Sequence, residues 1–291
     1  MKKYSIHYLF LIWICILLNP DIIAIPTAKE LAAHFDNVSN EIHQLDITII
    51  TTDTVLREAT FYGEHMTPGL KSIKTTRIAI SDSKIRFTHI DKKSNGEINM
   101  SSDVLIKDGS RMSYNNDNTY PIAIMSEATN LSRPEQMIAC EYFSCPMIPL
   151  PILHINPELA AINDIRQFLK TDNITLEYVP WNGNPEGGIQ FQPSKQITII
   201  LDSENYSPVL LQERSSKGFL LHEIIMEGFR HIGPYKTGLP LSVRIKCYEQ
   251  QNQNEPFRIL EKCVEELKIN DEVSENAFII PIKKNTVFVK K

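Results

Sequence analysis

The chain has 291 residues, 42% of them hydrophobic and 22% charged, and a formal net charge of -5. A chain of this length buries a core without depending on disulfides, and an ordinary composition with no low-complexity block excludes a fibrous or disordered protein. An acidic balance without a concentrated basic patch excludes binding through a phosphate backbone. The nearest basic cluster, Lys283, Lys284, Lys290 and Lys291, reads as a solvated tail.

Lys2 and Lys3 precede an apolar run from Tyr8 to Leu18, Asn19-Pro20 breaks any helix, and a short polar stretch ends near Ala24 or Ala28. That order is the one a secretory signal uses, and the apolar run is shorter than the roughly 20 residues of a bilayer span. The expectation is a signal peptide over 1–24, with export to the periplasm or envelope of a bacterium and only peripheral membrane contact afterwards. An uncleaved N-terminal anchor is the alternative. Ile12-Trp13-Ile14 before Cys15 lacks the small residue that a lipidated cysteine requires. Removal of the segment, which carries Lys2, Lys3 and Asp21, leaves the mature chain slightly more acidic.

Leu31, Ala32, Phe35, Val38 and Ile42 recur at helical spacing from Ala28 to about Gln44, as in a helix with one apolar face. Strands follow at 46–50, 75–80 and 84–90, where Ile47 and Ile49, Ile78 and Ile80, and Ile85 and Phe87 alternate with polar neighbours. Further strands are expected through Val104 to Ile106 and Met112 to Tyr114, with turns at Lys92 to Gly96 and Lys107 to Gly109. Between Arg133 and Leu169 the text is proline-rich and then helical, with Pro157 placed to open a helix. Strands resume from Asn173 to Ile269 with turns at Asp202 to Pro208 and Ser215 to Gly218, and end with pieces at Ala277 to Ile280 and Thr286 to Val289. No linker or repeat divides 25–291, so one domain with a helical insertion at about 133–169 is expected. The fold class is mainly β (α+β): a curved antiparallel sheet, or incomplete β-barrel, with helices packed on its concave face. Such a sheet leaves an apolar trough suited to a greasy ligand.

Four cysteines remain after signal removal: Cys140, Cys145, Cys247 and Cys263. In an oxidising compartment an even number suggests disulfides, with three possible pairings. The local pairing joins Cys140 to Cys145 and Cys247 to Cys263, the latter lying at equal distances from Glu255 as cross-strand partners of a hairpin. A zinc site is the rival, without a paired CxxC to support it. His222-Glu223 is not a zinc-protease helix, because Met226 stands where the second histidine belongs. No nucleophile elbow, dinucleotide fingerprint or P-loop occurs. Asn37, Asn99, Asn130, Asn173 and Asn205 sit in sequons that an Asn- and Ser-rich chain produces by chance. The expectation is a protein that is not an enzyme and has no metal and no cofactor.

Two stretches carry a resemblance. Within 83–124, a strand at Val104 to Ile106 ends in Asp108-Gly109 and is followed by an aromatic-bearing strand, Met112 to Tyr114. Within 269–291, an asparagine and polar residues lead to a Phe-containing segment, a proline and a valine-rich end. Both resemble LolA-like proteins, the lipoprotein-sorting carriers and their relatives, as do the early helix and the segment 200–214. The family's arginine-proline pair is missing at Ser81 to Lys84, and neither Arg77 nor Arg86 maps onto its lid-latching arginine. The resemblance implies a half-barrel lidded by helices that binds a lipid or lipid-modified protein without catalysis, its apolar trough lined by Ile47, Ile49, Ile78, Ile80, Phe87, Met112 and Tyr114. An envelope sensor or module for a partner protein on the same fold is the alternative.

Overall fold

Thr27 starts the first helix for a local reason. Its hydroxyl accepts from the Glu30 amide at 3.2 Å and the Glu30 carboxylate accepts from the Thr27 amide at 2.7 Å, a reciprocal capping box. Helix α1, Ala28–Asn40, therefore presents Leu31, Ala32, Phe35 and Val38 as one buried stripe. In the computed structural model the described residues are 25–61, 64–81, 84–107, 110–115, 121–127, 165–170, 174–250, 252–271 and 273–290. The expected signal peptide, Cys140, Cys145 and nearly all of the expected insertion lie outside them.

Alternating apolar residues then build one long meander. Strand β1 is Gln44–Val55, and a small separate hairpin pairs β2, Ala59–Phe61, with β3, Glu64–Met66. Next come β4 (Gly69–Ser81), β5 (Lys84–Lys93), β6 (Ile98–Lys107), β7 (Ser110–Asn115) and β8 (Ile122–Glu127). A short helix α2, Ile165–Leu169, precedes β9 (Glu177–Trp181), β10 (Asn184–Ser194), β11 (Ile197–Asp202) and β12 (Pro208–Arg214). The last antiparallel strands are β13 (Leu220–His231), β14 (Gly238–Cys247) and β15 (Arg258–Ile269), and β16 is Val287–Lys290.

Among the described residues these strands form a 14-stranded sheet in the order β16-β8-β7-β6-β5-β4-β1-β15-β14-β13-β12-β11-β10-β9. It is curved and open rather than closed into a barrel. The chain starts at the middle of the sheet, steps outward to β8, reappears at the opposite edge and steps back until β15 pairs with β1. A bulge between Thr48 and Ile49 in that pairing bends the centre. All pairings in this sheet are antiparallel except β16 with β8, which is parallel. A parallel partner requires a crossover, and residues 273–286 run across the outer face as part of it. There Val273, Ala277 and Phe278 pack on Ala79 and Leu105, and Ile280 packs on Tyr114 and Ala123.

Two expectations are corrected here. Residues 277–280 are not a strand: Ser274 caps a 3-10 turn over Glu275–Phe278, because the segment crosses the sheet instead of extending it. Cys247 and Cys263 are not bonded to each other. Both are free thiols, and the β14–β15 register sets Cys247 against Arg258 and Cys263 against Ser242. They stand five positions apart along the ladder, about 17 Å at strand rise, with side chains on opposite faces.

Candidate functional site

The inner face of the sheet begins at β1. Leu45, Ile47 and Ile49 point the same way, and pairing carries that face through Ile78 and Ile80 to Phe87 and then Val104. On the other half it continues through Val243 and Met226 to Leu211, Ile199 and Phe191. These residues and the apolar stripe of α1 form one core cluster. Five of the seven expected trough residues are therefore brought together: Ile47, Ile49, Ile78, Ile80 and Phe87 are each 0–1% exposed. They are buried in the same cluster as the apolar stripe of α1.

Met112 and Tyr114 are a correction. Register places Ser113 opposite Val104, so Met112 and Tyr114 project from the outer face. There Tyr114 packs with Ala123 and Ile280, and its hydroxyl accepts from the Lys283 amide at 3.3 Å. Arg77 and Arg86 also project outward, one position from Ile78 and Phe87. Each makes a two-pronged pair, Arg77 with Asp46 at 2.9 and 2.8 Å and Arg86 with Asp103 at 2.9 and 2.6 Å. Neither latches the helix.

The polar tether of α1 comes from elsewhere. His34 Nε2 lies 2.7 Å from Thr237 Oγ1, and the Thr237 hydroxyl donates to the Asn205 carbonyl. Thr237 must then accept from His34, which fixes the proton on Nε2. The imidazole meets the rings of Tyr206 and Tyr235 edge-on, at centroid distances of 5.2 and 5.5 Å. Burial holds the His34 pKa below its ordinary 6.5. On the same helix Asp36 accepts from Arg166 of α2 at 2.9 Å. Sequence reasoning missed His34 and Thr237, which are far apart in the chain and belong to no motif.

Toward its far end the inner face turns polar. Thr76 and His89 are hydrogen-bonded at 3.0 Å, Arg258 grips Asp53 at 2.7 and 2.6 Å, and Lys262 is buried between them and the apolar zone on β15. The face thus grades from hydrocarbon beneath the helix to paired charge beyond it. Among the described residues, no group of three or more His, Cys, Asp or Glu is placed to hold a metal ion, and no helix is long and apolar enough to cross a membrane.

No protein-family model matches the chain, and no curated protein matches it. Three solved structures are similar to it over most of their length. One is a LolA superfamily protein from Nitrosomonas europaea, at 10% identity and a TM-score of 0.35, covering 86% of this chain and 97% of that one. A second is a domain described as an outer membrane lipoprotein-sorting protein from Vibrio parahaemolyticus, at 10% identity and 0.41, covering 87% and 97%. The third is a DUF1329 family protein from Desulfovibrio piger, at 8% identity and 0.44, covering 87% and 95%.

Proposed function

We propose that the protein is an exported envelope protein that binds a long-chain amphiphile, a lipid or a lipid-modified protein, against the inner face of its sheet after displacement of α1. The single observation that carries this reading is the gradation of that face. One continuous surface is apolar where the helix covers it and holds paired charges at its other end, matching an acyl chain with a polar head. The helix suits a lid, because its attachment is an apolar stripe with two polar tethers, His34–Thr237 and Asp36–Arg166. Acyl burial stabilises such a complex by roughly 0.8 kcal/mol per methylene, and binding itself calls for no covalent chemistry.

The test is to purify the mature protein from an envelope fraction, denature it in organic solvent and identify co-extracted molecules by mass spectrometry. Stoichiometric lipid or acylated peptide is expected. A clean protein that melts cooperatively and takes up no added long-chain lipid would end this reading.

A second reading, a module that docks a partner protein, is favoured by one observation. Edge strand β16 is exposed along its length, with Val287 48%, Phe288 59% and Val289 40% exposed. An apolar strand at a sheet edge is a template for another chain. Substituting lysine at Phe288 would abolish partner capture on this reading and leave lipid uptake intact on the first.

A further inference from the structure

Strand pairing assembles a row of reactive groups on the inner face that no local motif announces. Glu213 of β12 is opposite His222 of β13, His222 is opposite Cys247 of β14, and Cys247 is opposite Arg258 of β15. All four side chains share the face that carries Leu211, Ile224 and Ile245. His222 Nδ1 lies 2.8 Å from Glu213 Oε2, and strand register sets Cys247 directly across from the same imidazole. Glu213 is half-exposed, His222 mostly covered, and Cys247 only 3% exposed. The row therefore runs from solvent into the apolar interior, with sulfur at its inner end.

We propose that Glu213, His222 and Cys247 form a nucleophilic site that accepts an acyl group from an activated ester or thioester whose chain lies along the inner face. The proposal rests on the amphiphile reading above and adds covalent chemistry to it. Glu213 orients the imidazole, as the third member of a nucleophile–base–orienter arrangement does. Burial alone opposes charge on His222, but the hydrogen bonds and charges of Cys247 and Glu213 outweigh it and push its pKa up to about 9. The hydrogen bond from His222 in turn holds the Glu213 carboxyl below its usual range. The charged groups beside the sulfur on the neighbouring strands are His222, bonded to Glu213, on one side and Arg258, bound to Asp53, on the other. The sulfur thus has a basic side chain on each neighbouring strand, His222 and Arg258.

The step balances within the site and its donor. In the reactive pair the thiol proton has passed to His222, and Sγ attacks the acyl carbonyl carbon to form a carbon–sulfur bond. The carbon–oxygen bond of the ester breaks, and the imidazolium gives its proton to the departing alkoxide. A thioester on Cys247 and a neutral His222 remain. Because the sulfur is covered by apolar side chains, a donor arrives through the interior, so a long acyl chain is preferred over a short one. Cys263, exposed on the outer face, is the internal comparison.

The experiment incubates the mature chain with p-nitrophenyl butyrate and p-nitrophenyl laurate, follows p-nitrophenolate release and maps adducts by peptide mass. Uptake of a fluorescent long-chain fatty acid by the same samples is measured alongside. The expected result is one equivalent of phenolate from laurate, an acyl mass on the Cys247 peptide, loss of both in a Cys247→Ser protein that circular dichroism shows to be folded, and retention of both in Cys263→Ser. His222→Gln slows acylation by about 10²-fold or more, the range of a lost general acid–base. Fatty-acid uptake without an adduct on Cys247, acylation of Cys263 alone, or a disulfide from Cys247 to Cys140 or Cys145 would each overturn the proposal. Failure of uptake in every sample would instead overturn the amphiphile reading beneath it.

Discussion

Truncating Phe35 to alanine tests the lid most sharply, because it predicts that damage to the core improves binding. Leu31, Phe35 and Val38 are each 0–1% exposed against the sheet. Lifting them into water costs about 2 kcal/mol apiece, or about 6 kcal/mol for the stripe. At about 0.8 kcal/mol per methylene, roughly eight methylenes of ligand are needed to offset that opening. Chains of eight carbons should therefore bind barely, and chains of sixteen well. Phe35→Ala removes about 2 kcal/mol of the opening cost and should raise the apparent affinity for a sixteen-carbon fatty acid about 30-fold. The same change lowers the melting temperature, since deleting a core phenylalanine typically costs about 3–5 kcal/mol. Phe191→Ala, in the core on β10 and not on the lid, is the control: equal loss of stability and no gain in affinity. The assay is displacement of a fluorescent fatty acid from protein shown by circular dichroism to be folded. Equal affinity for eight- and sixteen-carbon chains, or a folded Phe35→Ala protein that binds no better than wild type, would refute the lid.

Three further outcomes follow from individual groups. The folded-state pKa of His34 lies below its ordinary value of 6.5, so the stability tied to its neutral form is complete above that pH. This stability is lost as pH falls toward the folded value, and His34→Asn should flatten the melting curve's pH dependence between 7.5 and 5 relative to wild type. An identical slope in both would remove His34 from the account. Arg86→Met strands the carboxylate of Asp103, which is 8% exposed, and should cost about 3–5 kcal/mol in urea unfolding; joint replacement with Asp103→Leu should recover most of it. Gly238→Ala would set a methyl 2.5 Å from the Arg230 carbonyl, a backbone atom with no room to yield. Hydrogen exchange should therefore quicken along the β13–β14 ladder, which ends beside the His34 tether.

Much of the fold was legible in residue alternation. The capped helix at Ala28 and strands β1, β4, β5, β6 and β7 sit where apolar residues recur at periods of 3.6 and 2. Alternation alone does not say which face is inner when both faces are covered, and Met112 and Tyr114 failed for that reason. In β7 the inner positions hold Arg111, Ser113 and Asn115, and the apolar side faces out beneath the crossing C-terminal segment. Cys247 and Cys263 failed on the centre of a turn. The symmetric spacing about Glu255 presumes a hairpin tip there, but the Phe257 amide donates to the Cys247 carbonyl and Phe257 is buried, which moves the register. The Glu213–His222–Cys247 row was invisible because only the ladder joins three residues that sequence scatters over three strands. The same holds for His34 and Thr237.

The most direct measurement is photolabelling with a diazirine-bearing sixteen-carbon fatty acid, followed by mapping of the modified peptides. The account predicts saturable labelling on α1 and on the strands carrying Ile47, Ile78 and Phe87, competed by unlabelled long-chain fatty acid. Labelling confined to the outer face around Met112, Tyr114 and Ile280, or labelling that does not saturate, would contradict it.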